Sequence, residues 1–293
     1  MLEYAYYPGC SLETSGAPYD QSIKEVFKAL GVGLKEIEDW NCCGATMYMS
    51  VKAIVGYSIT ARNLALAQNM KMPICAPCSS CYTILRKTNR HIEMDPKERD
   101  KINEALAAAD LKYDTTVDVR HPLDILVHEV GLEKIAAQVK VKLTGIKVAP
   151  YYGCQIVRPN GYFDDVDNPV TMDKLFECLG AEVVYYPNKV RCCGGMLMTT
   201  DEEIGLKLNS CLLQAAVDNG ADLIATACPL CQINLEAYQK KINARFNRAF
   251  NIPVVYFSHL VGIALGIPAE AMGMNHFLIP ADKLTAKLAE VAR

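Results

Sequence analysis

The tripeptide Cys42-Cys43-Gly44 occurs again in the second half of the chain as Cys192-Cys193-Gly194. In each half, one cysteine precedes the tripeptide and a Cys-x-x-Cys pair follows it, at the same interval in both halves. The ten repeated cysteines are Cys10, Cys42, Cys43, Cys78 and Cys81 in the first half and Cys154, Cys192, Cys193, Cys228 and Cys231 in the second. Self-similarity of this kind indicates two copies of one structural unit.

The sequences that flank the cysteines support the duplication. The segment YYPGC at residues 6–10 is similar to YYGC at residues 151–154, and residues 74–85 are similar to residues 224–235. The 293 residues are enough for two domains of ordinary size. We predict a first domain over residues 1–144 and a second over residues 145–293 that ends in a helical tail packed on it. The second copy should carry additional residues around the loop 160–169.

Short apolar runs alternate with amphipathic stretches in both halves, which is typical of α/β domains with mostly parallel sheets and flanking helices. We predict strands at Tyr4–Tyr7, Met72–Cys75, Thr116–Val119, Ile146–Tyr152, Glu182–Tyr186, Asp222–Ala225 and Pro253–Phe257, and helices at Ser22–Leu30, Pro122–Val130, Met172–Leu179, Glu202–Asp218 and Asp282–Arg293. Each cysteine group then follows a strand. Because ligands bind beyond the carboxyl ends of the strands in open α/β sheets, three distant loops of each domain should converge there.

The composition excludes several classes of protein. A net charge of -3, from 30 basic and 33 acidic residues, does not give the basic surface that nucleic-acid binding needs. The apolar run Leu260–Ile267 is much shorter than a membrane-spanning helix. The first residues show no secretory signal, so the expected location is the cytoplasm. In that reducing compartment, 13 cysteines favour metal ligands or redox groups over structural disulfides.

The five cysteines of each half form an unusual set of soft ligands. Tetrahedral zinc takes four ligands, and common iron–sulfur clusters use four cysteines in recognisable runs. A Cys-Cys dipeptide suits a body with several metal atoms, because each thiolate can reach a different atom. Gly44 and Gly194 would let the backbone approach such a body closely. The pattern favours an iron–sulfur cluster in each half, with zinc as the alternative.

Three cysteines lie outside the repeat. Cys75, Cys178 and Cys211 are interpreted as small core residues, and the position equivalent to Cys75 in the second copy is Ala225. The five histidines show no ligand spacing and are interpreted as surface or capping residues. The sequence contains no haem-attachment, dinucleotide-binding or P-loop motif, so the chain cannot take electrons from a nicotinamide by itself.

Two complete copies of this motif, covering nearly the whole chain, resemble the cysteine-rich CCG-domain family, and within it the B subunits of soluble heterodisulfide reductases of methanogenic archaea. The resemblance implies a noncubane 4Fe-4S cluster on each set of five cysteines. It also implies reduction of the mixed disulfide of coenzyme M and coenzyme B to two thiols, at the clusters and without a separate protein nucleophile. Two one-electron centres facing one pocket would supply the two electrons that disulfide cleavage needs.

The same resemblance implies partners and a substrate site. Electrons would come from a ferredoxin-like iron–sulfur subunit of the C type and a flavin subunit of the A type, with a hydrogenase or formate dehydrogenase upstream. The anionic ends of the two coenzymes need cationic or amide donors. Arg158, Lys189 and Arg191, which lie near Cys154 and Cys192 in sequence, are the candidates for that contact.

Two other functions remain open. CCG domains also resemble parts of quinone-linked succinate, glycolate, lactate and glycerol-3-phosphate oxidoreductases, in which the chain would relay electrons and cleave no disulfide. A zinc-stabilised interaction module would have no redox role. Colour separates the last alternative from the other two, because zinc sites are colourless and iron–sulfur sites are brown.

Overall fold

The chain folds into two α/β units of the same topology in a computed structural model that describes residues 2–45, 47–114 and 116–291. The first unit contains β1 (Leu2–Tyr6), α1 (Ala17–Ala29), β2 (Val32–Glu36), α2 (Met47–Val51), α3 (Ala53–Met70), β3 (Ile74–Cys75), α4 (Ser79–Met94), α5 (Pro96–Ala107), β4 (Val119–Arg120), α6 (Pro122–Asp124), a π-helical segment (Ile125–Gly131) and α7 (Leu132–Ala137). The second contains β5 (Lys147–Tyr151), α8 (Thr171–Cys178), β6 (Glu182–Val183), α9 (Leu197–Thr200), α10 (Glu202–Asp218), β7 (Leu223–Thr226), α11 (Pro229–Glu236), α12 (Gln239–Phe246), β8 (Val254–Tyr256), α13 (Phe257–Ala264), two short 3-10 segments (Glu270–Met272 and Met274–His276) and α14 (Asp282–Val291).

Each unit is built on a four-stranded sheet in which every strand pair is parallel. The strand order is β2-β1-β3-β4 in the first unit and β6-β5-β7-β8 in the second. In both sheets, the order reverses between the first and third strands of the unit. Such a switch point opens a crevice at the carboxyl ends of the strands. The predicted α/β architecture of two small parallel sheets with flanking helices is confirmed.

Two of the longer helices, α5 and α10, begin at side-chain caps. Helix α10 begins after Asp201, whose carboxylate accepts a hydrogen bond from the Ile204 amide, and it spans the residues that were predicted. Helix α5 begins after Asp95, whose carboxylate accepts from the amides of Lys97 and Glu98. No helix in the described residues is both long enough and apolar enough to cross a membrane.

The strand predicted at Thr116–Val119 is wrong for most of its length, because only Val119 and Arg120 pair with β3. Side chains bind the backbone of the preceding residues instead. The Val117 amide donates to the hydroxyl of Tyr113, and the Val117 carbonyl accepts from the side-chain amide of Asn89. Val117 therefore has no free backbone groups for a strand partner.

Other elements differ from the sequence prediction. Strand β2 was not predicted, because its sequence VGLKE lacks an apolar run; it forms an edge of the sheet, where one side needs no burial. Helices α3, α4, α5, α11, α12 and α13 were also not predicted. The helix predicted over Pro122–Val130 is only three residues of α6 before the backbone continues as a π-helix. Strand β6 ends at Val183, shorter than predicted.

The additional residues of the second copy lie in the loop between Cys154 and α8. Asp164 holds the end of this loop, since its carboxylate accepts hydrogen bonds from the amides of Val170 and Thr171. The predicted C-terminal tail is helix α14, which packs against α13 and buries Leu284. Residues 292–293 of that predicted helix lie outside the described residues. The domain boundary at residue 144 stays a prediction.

The two units share a hydrophobic core. Helix α13 of the second unit packs against α1 of the first, and the buried hydroxyls of Ser22 and Ser258 are 2.6 Å apart between them. The rings of Tyr19 and Tyr256 stack with their centroids 4.2 Å apart. One continuous cluster of buried apolar residues includes members of both units. The relative position of the two sheets is therefore fixed by packing rather than by the connecting segment alone.

We predict that Phe257→Ala lowers the stability of both units together. Phe257 is fully buried and contacts Tyr19 and His121 of the first unit. Removing a buried aromatic ring costs about 3–5 kcal/mol. Thermal unfolding of metal-free protein, followed by circular dichroism, should show one transition that moves to lower temperature. Leu278→Ala, at an exposed position, should change stability by less than about 0.5 kcal/mol. Two separate transitions, of which only one moves, would contradict the shared core.

Candidate metal centres

The ten repeated cysteines lie in the loops at the carboxyl ends of the strands. In the first unit, Cys10 follows β1, Cys42 and Cys43 follow β2, and Cys78 directly precedes α4. In the second unit the equivalent cysteines follow β5, β6 and β7. Parallel pairing directs these strand ends to the same edge of each sheet. The structure thus brings together side chains that are far apart in sequence.

The cysteines of the first unit form a row of neighbouring thiols that shift one another's pKa. Cys42 contacts Cys43, Cys43 contacts Cys81, and Cys81 contacts Cys78. Cys10 lies next to Cys42, within range of its electrostatic influence. Cys10 and Cys42 are exposed, whereas the other three thiols are buried.

The second unit repeats this row. The Sγ atoms of Cys154 and Cys192 are 3.7 Å apart, and those of Cys193 and Cys231 are 3.6 Å apart. Cys192 contacts Cys193, and Cys231 contacts Cys228. Here too, Cys192 is exposed and the inner cysteines are buried.

The two rows approach each other at the interface of the units, where the thiols of Cys78 and Cys228 are close enough to shift each other's pKa. The result is one line of sulfur atoms that runs from solvent at Cys42, through the buried centre, to solvent at Cys192. Thiol contacts also keep part of this line ionised. Hydrogen bonds from Cys42 and Cys81 lower the pKa of Cys43 to about 4, and those from Cys154 and Cys193 lower the pKa of Cys192 to about 2. Thiolate is the form that binds metal.

Two glycines make room for the inner thiols. Gly9 and Gly153 directly precede the first cysteine of each set and have φ angles of +70° and +72°. A Cβ atom on Gly9 would lie 2.9 Å from the Sγ of Cys81, and one on Gly153 would lie 3.0 Å from the Sγ of Cys231. Neither Gly9 nor Gly153 was given a role from the sequence, although the Gly-Cys dipeptide occurs in both copies.

The glycines after each Cys-Cys pair have the backbone geometry that was expected of them. Gly44 and Gly194 adopt φ angles of +74° and +89°, which favour glycine. The turns are held by polar side chains from the following helices. The carbonyl of Cys43 accepts a hydrogen bond of 2.7 Å from Thr60, and that of Cys193 accepts one of 2.8 Å from Asn209.

A cavity of about 220 Å³ lies against the second set of thiols. This volume is roughly seven times that of one water molecule, so the cavity is large enough for a body of several atoms. Its walls come from both units. They include all five cysteines of the second set, together with Ser79 and Ser80 from the start of α4 in the first unit.

The donor set fits a cluster better than a single ion. Within residues 2–45, 47–114 and 116–291, no three histidine, cysteine or carboxylate side chains converge as ligands of one metal ion. Ten thiols in two rows instead offer sulfur over a length that several metal atoms can bridge. Thiolates this close repel one another, and bound iron would relieve that repulsion. Because Gly9 and Gly153 have no side chain, no Cβ atom at these positions presses on the sulfur atoms of Cys81 and Cys231.

A buried histidine joins the two cysteine loops, and no motif in the sequence pointed to it. Nδ1 of His121 accepts a hydrogen bond from the Leu123 amide, so Nε2 carries the proton. Nε2 donates to the carbonyls of Pro77 at 2.8 Å and Ala227 at 3.3 Å, the residues that precede Cys78 and Cys228. Burial lowers the pKa of His121 to about 4, so the ring is neutral at physiological pH.

The histidine interpretation needs two corrections. His121 is a capping residue, as expected, but it is completely buried. His259 is also fully buried, with Nε2 3.0 Å from the carbonyl of Met272, so the prediction of a surface or capping residue is wrong there. Its ring packs against Phe277 and Tyr256 in the core.

The cysteines outside the repeat lie in different environments. Cys75 is fully buried in β3, as expected of a core residue. Burial raises the pKa of its thiol well above the usual value. Cys178 is partly buried and its thiol contacts the carbonyl of Leu132. Cys211 is exposed on α10, so its assignment to the core is wrong. Cys178 and Cys211 both lie on amphipathic helices, and the sequence alone did not show which of the two is partly buried and which is exposed.

The candidate substrate-binding cations are largely engaged elsewhere. Lys189 forms an ion pair of 2.9 Å with Asp173, and its amine also donates to the carbonyl of Pro169. Arg158 forms an ion pair of 2.8 Å with Asp167 in the inserted loop. Arg191 is exposed, and its carbonyl accepts a hydrogen bond from the hydroxyl of Tyr151.

These features define a two-domain α/β protein with one site of clustered thiols per domain and a direct contact between the two sites. A family model described as a cysteine-rich domain, CCG, matches residues 4–86 and 148–236. The chain belongs to the CCG cysteine-rich domain family. Both matched ranges contain a complete set of five repeated cysteines.

Full-length relatives carry two kinds of name. The chain is 36% identical to the 8-methylmenaquinol:fumarate reductase membrane anchor subunit of Wolinella succinogenes, over 96% of this chain and 99% of that protein. It is 31% identical to a protein of Archaeoglobus profundus that is named as similar to the B subunit of heterodisulfide reductase, over the full length of both. It is 28% identical to the B subunit of the ferredoxin/F(420)H(2)-dependent CoB-CoM heterodisulfide reductase of Methanosarcina acetivorans, over 100% of this chain and 99% of that protein. Similarity to these proteins supports an iron–sulfur redox subunit.

The fold also occurs in a solved structure. A hypothetical protein from Helicobacter pylori superposes with a TM-score of 0.79 at 15% identity, over 95% of this chain. The match covers 52% of the Helicobacter pylori chain, so the present chain spans about half its length. At this identity the comparison concerns the fold alone.

We predict that Gly153→Ala removes the metal of the second site. The new methyl group would press on the Sγ of Cys231. Gly220→Ala is the matched control, because Gly220 has a φ of +71° and an added Cβ there would meet no atom within 4 Å. Both variants carry the backbone cost of about 1–2 kcal/mol for a left-handed residue. Iron and zinc analysis per chain should show about half of the metal lost in Gly153→Ala and none in Gly220→Ala. Equal loss of metal in both variants would mean that backbone strain, and not contact of the added methyl group with Cys231, removes the metal.

Proposed function

We propose that this chain is the disulfide-reducing iron–sulfur subunit of a multisubunit, cytoplasmic electron-transfer complex. Each set of five cysteines holds a noncubane 4Fe-4S cluster, and the substrate is a small mixed disulfide such as that of coenzyme M and coenzyme B. The observation that carries the proposal is the continuous row of thiols across the two units, joined at Cys78 and Cys228, with a cavity beside it.

The geometry suits two-electron chemistry at one substrate. Cleavage of a disulfide needs two electrons and leaves two thiolates. When bound, two clusters supply one electron each, together with iron sites of the soft type that bind sulfur. The two cysteine sets lie on opposite sides of the close approach of Cys78 and Cys228, so they would hold both clusters near one point. A disulfide at that point can take one electron from each side, and no separate protein nucleophile is needed.

The walls of the cavity supply binding and orientation rather than chemistry. Ser80, Gln155 and Leu230 border it together with the cysteines, so that the walls combine polar groups with an apolar side chain. Buried Cys193, Cys228 and Cys231 line its inner side, away from bulk solvent. Restricted access of water protects a reduced sulfur centre from side reactions.

The relatives named as B subunits of heterodisulfide reductases, or as similar to them, support the reaction and imply partner subunits. Two electrons must reach the chain from outside, because its sequence shows no flavin or nicotinamide motif. A ferredoxin-like subunit and a flavin subunit would deliver them, with a hydrogenase or formate dehydrogenase upstream. The exposed cysteines, Cys10 and Cys42 in the first unit and Cys192 in the second, are the points at which the thiol row reaches solvent.

A second candidate function is electron relay in a quinone-linked fumarate or succinate reductase. The observation that favours it is the 36% identity to the Wolinella succinogenes anchor subunit. Exposed apolar side chains also lie beside the Cys-Cys-Gly turns, with Tyr48 and Val51 after the first and Met196 after the second. In this function, clusters held by the thiol row would pass electrons between a quinol and a partner, and the chain would cleave no disulfide.

The first experiment is analysis of iron, acid-labile sulfide and zinc in anaerobically purified protein, followed by EPR after oxidation in the presence of coenzyme M alone. About eight irons per chain are expected for two 4Fe-4S clusters. A new paramagnetic signal that depends on coenzyme M supports disulfide reduction. Iron without any response to the thiol, combined with electron exchange with a menaquinone analogue, favours the relay. Zinc without iron rejects both redox functions.

We predict that Cys43→Ser abolishes disulfide reduction. The residue lies at the centre of the first thiol row, so its loss should disable the first site and with it the delivery of the second electron. Reduction of the mixed disulfide with viologen as donor should fall by more than about 100-fold, because components that act as a unit fail together. Cys211→Ser is the control, since this exposed cysteine lies outside both rows and should retain full activity. Normal turnover in Cys43→Ser would reject the proposal.

A further inference from the structure

Tyr256, the last residue of β8, has a buried hydroxyl without a hydrogen-bond partner in the described part of the chain. The side chain is 0% exposed. Buried hydroxyl groups in proteins are almost always hydrogen-bonded, because an unpaired one loses its interaction with water and gains nothing. A tyrosine in this state indicates an acceptor that the protein itself does not provide.

Tyr256 lies beside the loop that carries Cys228. The ring of Tyr256 stacks on Tyr19 with an interplanar angle of 5°. The Tyr19 hydroxyl is 3.5 Å from the carbonyl of Ala227, the residue before Cys228. Tyr256 also pairs with Thr226 in the sheet, two residues before Cys228. These contacts place Tyr256 against the loop that carries the inner cysteine of the second set.

The surroundings keep this hydroxyl protonated. Burial, and then the proximity of Cys228, raise the pKa of Tyr256 well above its usual value. The other charged groups near it are Glu236, Cys78 and Cys231, which act in the same direction. The Glu236 carboxylate accepts hydrogen bonds from the side-chain amide of Gln232 and from the backbone amide of Ile279. The neutral hydroxyl of Tyr256 therefore keeps a proton that it can donate.

The equivalent residue of the first unit uses its donor differently. Arg120 pairs with Cys75 and Val255 pairs with Ala225, so His121 and Tyr256 occupy equivalent positions. His121 donates to the two backbone carbonyls of Pro77 and Ala227, so its donor is already used within the protein. Of these two equivalent positions in the described residues, only Tyr256 therefore offers a spare donor.

We propose that Tyr256 donates a hydrogen bond to a sulfur atom of the iron–sulfur group held by the second cysteine set, and that this bond raises the reduction potential of that group. The inference rests on the proposed binding of clusters. A donated hydrogen bond stabilises the more negative, reduced state of a cluster, and hydrogen bonds to sulfur are a main determinant of its potential. His121 gives no such bond on the other side, so the two clusters are not equivalent and electrons settle first on the second.

The test is Tyr256→Phe, which keeps the ring and its stacking on Tyr19 but removes the donor. Both cluster potentials are measured by EPR-monitored redox titration of the anaerobic, iron-loaded chain. We expect one potential to become more negative. At a fixed solution potential, the ratio of reduced to oxidised second cluster should fall about tenfold, which corresponds to ~59 mV for one electron. The other potential should not change.

Tyr82→Phe is the matched control. The Tyr82 hydroxyl is also buried and without a partner in the described residues, but its ring packs against Tyr162, Phe163 and His121 rather than against the thiol rows. We expect neither potential to change in this variant. Similar shifts in Tyr82→Phe and Tyr256→Phe would overturn the assignment, and so would unchanged potentials in Tyr256→Phe at full iron content.

A second measurement uses metal-free protein. Since the Tyr256 hydroxyl has no partner within the described chain, Tyr256→Phe should be at least as stable to heat as the unmodified metal-free chain. A lower melting temperature would mean that the hydroxyl binds the protein itself, and would overturn the inference without affecting the proposed function. Failure of the unmodified chain to bind iron would instead reject the proposed function, and this inference with it.

Discussion

The contact between the thiols of Cys78 and Cys228 is the feature on which the rest of the site depends. Two sulfur atoms from different units can meet only if the loops before them are held side by side. His121 provides this restraint, because its single Nε2 proton is shared between the carbonyls of Pro77 and Ala227. Ser79 adds a hydrogen bond of 3.1 Å to the same Ala227 carbonyl. Packing of α1 on α13 then fixes the position of one unit relative to the other.

Duplication explains why such a contact is useful. One CCG unit offers one set of five thiols, and a single cluster exchanges electrons one at a time. Two units packed at their cysteine loops bring two such sets to a common point, where a two-electron reaction becomes possible. The copies have also diverged at that point: His121 uses its proton to join the loops, whereas the equivalent Tyr256 keeps its hydroxyl free of partners in the described chain. The two halves therefore differ at this point while the scaffold stays the same.

Much of the site could be predicted from the sequence because its signal is a repeat. Cysteine spacing predicted which thiols come together in each unit, and the alternation of strands and helices indicated that their loops converge. Residues that act through tertiary contacts carry no such signal. His121 and Tyr256 are equivalent only through the register of β4 and β8, which are three residues long or shorter. Strand β2 was missed because an edge strand needs no apolar run, and Cys211 was misplaced because helical spacing alone does not show which face is covered.

The two candidate functions differ in the part of the thiol row that the substrate reaches. In the proposed disulfide reduction, the substrate would have to approach both clusters at the buried centre, and the cavity lined by Ser79, Cys228 and Cys231 lies there. A quinol needs only one cluster and can react at an exposed end. Beside Cys42, an open groove of about 610 Å³ with Trp40 and Tyr48 in its walls has the apolar character that a quinol ring requires. Access to the centre, rather than the presence of two clusters, is therefore the property that distinguishes a disulfide reductase from a relay in this fold.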